Sequence, residues 1–395
     1  MKRTPVLTIW FVTIMISSLI GCGGGGSGSN VTSLPKVPTL PGLSPNQPPA
    51  SPAARYAIYD LNPGNIGTIA GFSYGLAINA SHRVVGTSNQ AAFVWSQSEG
   101  LIYIPQQYWE LVGNQTITLS GINSSNQAIG YSDNWLGIGN YGFVRQADGT
   151  MLTLADANIN NGAFGVSAPR AINDAGQIVG GVYYWASPTA SPQLLTSLSS
   201  DNDLYSYAIN ASGQIVGASI IRDQQYGALH YHAVLWPTAA SIPQGLGALP
   251  GDTDSTALAI NTAGQVIGWS SSIDVHSSTT PVFHPFLWSA SSGMRNIGTL
   301  PSAPSAVAYG INTQGQVVGA SGSKPFSYGA TPAGSGDLHA FLWTSTEGMK
   351  DLNTLIAPRS GWVLYTANGI NDAGEIVGTG TINGNIHAYL LTPLP

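Results

Sequence analysis

Four histidines open near-identical phrases in the second half of the chain. They are His232 in HAVLW, His284 in HPFLW, His339 in HAFLW and His387 in HAYLL. Imidazoles at repeated spacing invite a metal reading. Equivalent positions on neighbouring sheets lie about 10 Å apart, whereas zinc holds its nitrogen ligands at about 2.1 Å. One shared ion is therefore excluded, and a repeated structural contact between repeats is the expectation. Carboxylates gather in two short stretches, Asp201 and Asp203 in DND and Asp252 and Asp254 in GDTDS. Such pairs suit weak calcium binding or acid–base work. Asp252 and Asp254 are the weak metal candidates, although turn formation is the plainer use of this composition. DANINNG at 156–162 has the flavour of a calcium loop, but its glycine falls one place late and Ser167 stands where the bidentate acid belongs. Only four glutamates exist: Glu99, Glu110, Glu347 and Glu375. No GxSxG, phosphate-binding loop or HExxH occurs. No catalytic residue, metal or cofactor is assigned.

Aromatic side chains are the more promising recognition groups. Tyr108, Trp109, Trp135, Tyr226, Phe326, Tyr328 and Trp362 fall in or beside long polar connections, with His230 near Tyr226. Rings among Ser, Thr and Asn suit the apolar faces of sugars or peptides. The plainer alternative is that each ring lids its own repeat.

These groups need a scaffold, and the scaffold is written seven times. An "IN" phrase occurs at Asn79, Asn123, Asn173, Asn210, Asn261, Asn312 and Asn371, spaced by 37 to 59 residues. Each is followed by an apolar pair and then Gly86, Gly130, Gly180, Gly217, Gly268, Gly319 or Gly378. Asn favours the first place of a type I turn. The fourth place is Gly in five copies and His82 or Asn126 in the others, types that tolerate positive φ. Each phrase therefore predicts a β-hairpin with a structural Asn. The glycine after the hairpin marks close packing near a crowded centre. The HAFLW-like phrase and a GMxDLxTL-like phrase add two strands. Four antiparallel strands per repeat, seven times, predict a seven-bladed β-propeller. Blade 3, compressed to GGVYYW, is irregular, with one strand missing or merged. The last repeat ends after HAYLLTPLP without its fourth strand, while RYAIYDLNPG at 55–64 supplies a spare one. The N-terminal strand is thus expected to close the ring and hide an edge.

The phrases AxxINxxGQxVG, HAFLW and GMxDLxTL together resemble the HAF family of probable extracellular repeats. The closing stretch SGWVLYTANGINDAGEIVGTGTINGNIHAYLLTP is especially similar to that family's usual end. The resemblance spans about residues 55–395 and is looser over the first three repeats. It implies an extracellular repeat architecture and no particular reaction.

Alternating strands place the turns within a–b and c–d pairs on one face, all short, and every long insertion on the other. Variable loops on a rigid ring are the usual seat of recognition. The strand at 55–64 starts on the short-turn face, so a tether would leave there and aim the long loops away from its anchor.

The chain's beginning is of another kind. Lys2 and Arg3 precede an apolar run from Val6 to Ile20, the layout of a signal peptide. Leu19-Ile20-Gly21-Cys22 resembles the bacterial lipobox, and Cys22 is the sole cysteine. The resemblance implies cleavage before Cys22 and its lipidation. Gly23 rather than Asp implies delivery to the outer membrane or cell surface. Residues 1–21 read as the removed signal, 22–54 as lipidated cysteine and Gly/Ser/Pro-rich tether, and 55–395 as the propeller. The charged fraction is 8% and the net charge −6, with no basic cluster beyond the N-terminus, so no nucleic-acid partner is expected. The expected protein is a monomeric, surface-anchored binding or scaffold module for a glycan or protein ligand, held to the membrane by its lipid. The alternative is an extracellular polysaccharide lyase or hydrolase using long-loop carboxylates with His230 or His276. Such an enzyme would cluster those acids with a histidine, whereas a binder would present an aromatic patch.

Overall fold

Each repeat reverses direction because one four-residue turn closes on itself. In all seven turns the fourth residue's N–H donates to the Asn carbonyl at 3.0 to 3.2 Å. That fourth residue has φ between +61° and +78°, where Gly carries no Cβ penalty and Asn and His are tolerated. His82 and Asn126 adopt this conformation as Gly176 does.

The computed structural model describes residues 54–62, 71–88, 91–105, 115–134, 141–155, 168–199, 203–222, 229–272, 281–323 and 337–395. They form seven separate four-stranded antiparallel sheets arranged as a β-propeller. Blade 5 shows the pattern: strand a Asp254–Ile260, b Val266–Ser271, c His284–Ser289 and d Gly293–Asn296. Blade 7 takes a, b and c from Trp362–Ile370, Ile376–Ile382 and Asn385–Pro393, and its d strand from Tyr56–Asp60. That closing strand runs antiparallel to the last one, from Tyr56 opposite Pro393 to Asp60 opposite Tyr389. Blade 3 is abbreviated, with strands of two or three residues, yet all four are present. The expected missing strand is there because Tyr183–Trp185 follows Gly180 with almost no connection.

The glycine of each b strand has an internal cause. A Cβ on Gly268 would lie 1.9 Å from the carbonyl oxygen of Thr256, and one on Gly319 would lie 2.0 Å from that of Val307. In both blades the a strand bulges beside this point, between Ala257 and Ala259 and between Ala308 and Gly310. Phe286 and Phe341, directly opposite on strand c, are fully buried over the space the glycines leave. The crowding expected at the ring's centre is therefore crowding within each blade. Apolar side chains of adjacent blades interdigitate to make the core, as Val85 and Val94 of blade 1 do with Ile117, Leu119 and Phe143 of blade 2. Seams are stitched by serines at the start of strand a. The N–H groups of Ala388, Ala233 and Phe283 donate to Oγ of Ser73, Ser255 and Ser305 in the following blade.

Candidate functional site on the long-loop face

The two faces differ in what their polar groups have left to offer. On the short-turn face the seven asparagines form a closed ring. Each Nδ2 donates to the carbonyl of the Asn in the next blade, Asn79 to Asn123, then Asn173, Asn210, Asn261, Asn312 and Asn371, and Asn371 back to Asn79, at 2.8 to 3.2 Å. Each Oδ1 accepts from the N–H four residues on in the six turns from Asn79 to Asn312 and in that of Asn371. In five turns the second Nδ2 hydrogen goes to a Gln oxygen four residues on, as in Asn312 to Gln316 at 2.7 Å. All seven asparagines are buried, so their polar groups had to be paired internally. The glutamates of this face are engaged too: Arg55–Glu347 at 2.7 Å, Arg83–Glu99 at 2.6 Å and His82–Glu375 at 2.6 Å. Arg55 lies here, its carbonyl accepting from Leu394 N–H.

The long-loop face carries the histidines, and His284, His339 and His387 are held through Nδ1. His339 meets Asp351 at 2.6 Å and His387 meets Asp60 at 2.8 Å. Both acids belong to an Asp-Leu-Asn phrase, and each Oδ1 accepts from the N–H two residues on. A carboxylate only accepts, so the imidazole proton sits on Nδ1. The His387 clasp joins residues 327 apart in sequence. In blade 5 Asn296 replaces that acid, and His284 turns instead to Asp252, at 3.0 Å, in the connection from blade 4.

Beside it lies the most buried acid of the face. Asp254 has no side-chain exposure. Its Oδ1 accepts from Tyr231 N–H at 2.8 Å, and its Oδ2 from the Thr253 hydroxyl at 2.6 Å and His230 Nδ1 at 3.4 Å. Asp254 thus satisfies Tyr231 N–H of blade 4 as the next residue, Ser255, satisfies that of Ala233, and it orients an imidazole besides. His284 and His230 keep 36% and 31% side-chain exposure, and each has Nε2 left for solvent or ligand. His232 is half-buried, and that burial lowers its pKa, with Asp254 pulling weakly the other way.

An aromatic cluster adjoins these pairs across blades 4 to 6. Trp269 packs edge-on against Phe283, centroids 5.1 Å apart, and against Tyr231 at 6.5 Å. Tyr205, Leu229, Leu258 and Tyr309, all partly exposed, complete it. Burial pushes the Tyr231 hydroxyl up to about 12, helped by Tyr205, Asp254 and Asp203. Val282, at the edge of this cluster, is 41% exposed. Aromatic surface and carboxylate-held imidazoles thus coincide at the junction of blades 4 and 5.

The family model described as "Protein of unknown function (DUF3466)" matches residues 186–388, from blade 3 into the last strand of blade 7. The chain belongs to this family. No curated protein matches it. The propeller domain of the Trilobed protease from Pyrococcus furiosus is similar at a TM-score of 0.52 and 11% identity, covering 82% of this chain and 94% of that one. It is described as having an open velcro topology, whereas here the N-terminal strand completes the last blade. Virginiamycin B lyase from Staphylococcus aureus gives a TM-score of 0.43 at 12% identity, covering 86% and 100% of the two chains. A gluconolactonase from Xanthomonas campestris gives 0.41 at 13%, covering 87% and 92%. These likenesses concern the fold.

Within this DUF3466 chain, Tyr108, Trp109, Trp135, Tyr226, Phe326 and Tyr328 lie outside the described residues, as do Cys22, Asp201 and His276. Trp362 is described and is not an exposed recognition ring. It is 9% exposed and packs edge-on against His387 and Tyr389, each at 6.2 Å, so it lids its own blade. Asp252 and Asp254 each meet a histidine, and among the described residues no group of three or more His, Cys, Asp or Glu is placed to hold an ion. Sequence reasoning passed over Tyr205, Tyr231, Trp269, Phe283 and Tyr309 because it searched loops. The available signal was the aromatic just before a histidine in YHAVLW and FHPFLW.

Proposed function

We propose that this protein is an envelope-anchored binding module that takes a glycan on its long-loop face at blades 4 and 5. The carrying observation is the coincidence there of the partly exposed rings of Phe283 and Tyr205, backed by buried Trp269, with the oriented imidazoles of His230 and His284. Rings stack on the apolar faces of sugars, while an imidazole Nε2 hydrogen-bonds to hydroxyls. The lipobox-like Cys22 and the HAF resemblance support an envelope location. The position of Arg55 on the opposite face, beside Glu347 and Leu394, supports outward presentation of this surface.

A glycan array with the domain beginning at Ala54 tests the reading. Phe283→Ala and His284→Ala should each abolish the signals that Glu347→Gln leaves intact. Retention of all signals by both variants would dismiss the assigned surface. For the anchor, fatty-acid labelling should mark the parent and not Cys22→Ser; equal labelling would remove it.

A second reading has its own observation. Asp252 and Asp254 are each buried and each hold a histidine, the arrangement that orients a general base. Under this reading the face belongs to a polysaccharide lyase or hydrolase. Turnover of an array-positive polysaccharide that disappears in His230→Ala/His284→Ala would favour it over simple binding.

A further inference from the structure

The second residues of five Asn turns, Ala80, Ala211, Thr262, Thr313 and Asp372, line the mouth of one depression on the short-turn face. At two seams the following blade answers the second residue's N–H with a carboxylate. Ser124 donates its N–H and its hydroxyl to the two oxygens of Asp174, both at 2.8 Å. Thr313 N–H donates to Asp372 Oδ1 at 2.9 Å. At the seams between blades 4 and 5 and between blades 5 and 6, the acid's place is taken by Thr262 and Thr313. There the N–H groups of Ala211 and Thr262 meet no acceptor among the described residues. Thr262 brings a hydroxyl as well, as Ser124 does.

The turns share one backbone geometry and are locked to one another by the asparagine ring. The position that Asp174 fills over Ser124 therefore has an open counterpart over Thr262. It gives onto a depression of about 210 Å³ lined by Ala211, Thr262, Thr313, Asp372 and the asparagines of blades 4 to 7.

We propose that this mouth binds a ligand carboxylate. One oxygen accepts from Thr262 N–H and the other from its hydroxyl, reproducing the Asp174–Ser124 contact, and Ala211 N–H supplies a further donor one seam away. A carboxylate is preferred over a neutral carbonyl because charge-assisted hydrogen bonds are roughly twice as strong. Asp372, accepting at the next seam, repels the ligand across water, so binding tightens as salt screens that repulsion. The site is independent of the long-loop face. Its ligand is a uronic acid or the C-terminus of a peptide, which share this chemistry.

The test is amide NMR of the deuterated full chain. It is titrated with trigalacturonate and its methyl ester, and with N-acetyl-glycylglycine and its amide. The acids should give saturable shifts at Thr262 and Ala211 that their neutral counterparts do not. Whichever acid saturates first identifies the source. Thr313→Asp sets the chain's own carboxylate over Thr262. It should abolish the response at Thr262 while the melting temperature stays level or rises. Thr262→Ala, which keeps the N–H and removes the hydroxyl, should weaken binding several-fold and serves if Thr313→Asp does not fold. No acid-specific saturation at Thr262, or parental binding in either variant, would overturn the proposal.

Discussion

Replacing Asn312 by Ala isolates the contribution of one ring member. The side chain is 3% exposed and makes three hydrogen bonds. Gln316 N–H donates to its Oδ1 at 2.9 Å, and its Nδ2 donates to Gln316 Oε1 at 2.7 Å and to the Asn371 carbonyl at 3.2 Å. A buried hydrogen bond contributes about 1 kcal/mol net, and an orphaned partner costs about 1–3 kcal/mol. Loss of all three should cost about 3 kcal/mol. Water can enter the space and serve some of the stranded groups, so the lower bound is about 2 kcal/mol. Equilibrium urea unfolding of the domain beginning at Ala54 reads the difference. Thr313→Ala, one residue on and exposed, should stay within about 0.5 kcal/mol of the parent. Asn312→Asp adds a sign. The new carboxylate keeps the Oδ1 acceptor but faces the Asn371 carbonyl and Gln316 Oε1 where a donor stood. The folded state therefore holds the proton more tightly than the unfolded chain, raising the folded pKa above about 3.9. The variant should be weak at pH 7 and regain stability as pH falls through that raised value. A loss below about 1 kcal/mol for Asn312→Ala, or equality with Thr313→Ala, would refute the claim that the ring holds the blades together.

Gly319→Ala should destabilise by more than about 3 kcal/mol in thermal melts, because its Cβ would sit 2.0 Å from the Val307 carbonyl; parental melting would contradict the bulge packing. Gly374→Val should lose more than Ala373→Val, since Gly374 has φ +77°; equal losses would remove that account. A domain beginning at Asn65 lacks the strand Tyr56–Asp60 and both its clasps, Arg55–Glu347 and Asp60–His387. Light scattering should show it aggregating, or calorimetry a lower melting temperature, than the domain beginning at Ala54. His232 is held below its ordinary pKa by burial. The stability it allows at neutral pH is therefore lost as pH falls through its unfolded value near 6.5. His232→Gln should flatten that acid limb in melts taken between about pH 7 and pH 5; an unchanged slope would exclude the residue.

Architecture was legible from local rules. The Asn turns, the positive-φ fourth residues and the strand count per repeat depend on neighbours a few residues apart, and such chemistry is written in order along the chain. Ring closure was legible for a different reason. A missing strand at one end and a spare at the other must meet if no edge is to stay open, and the pairing of Tyr56 with Pro393 is the outcome. The aromatic cluster was not legible. Tyr205, Trp269, Phe283 and Tyr309 come from the a strands of blades 4 and 6 and from blade 5, and nothing in their sequence spacing says that a turn of the ring brings them together.

The sequence by itself thus determined the repeat, its hairpin and the propeller it builds, because each rests on backbone chemistry within a few residues. Only the tertiary structure decided what the conserved-looking side chains of that repeat do here. The asparagine of every turn faces the next blade, so its partner lies 37 to 59 residues away, and for Asn371 it lies 292 residues back at Asn79. His284, His339 and His387 likewise pair with carboxylates. Asp351 reaches His339 through the register of one hairpin and Asp254 reaches His230 across the seam of two blades, while Asp60 meets His387, 327 residues away in sequence, only because the N-terminal strand closes the last blade.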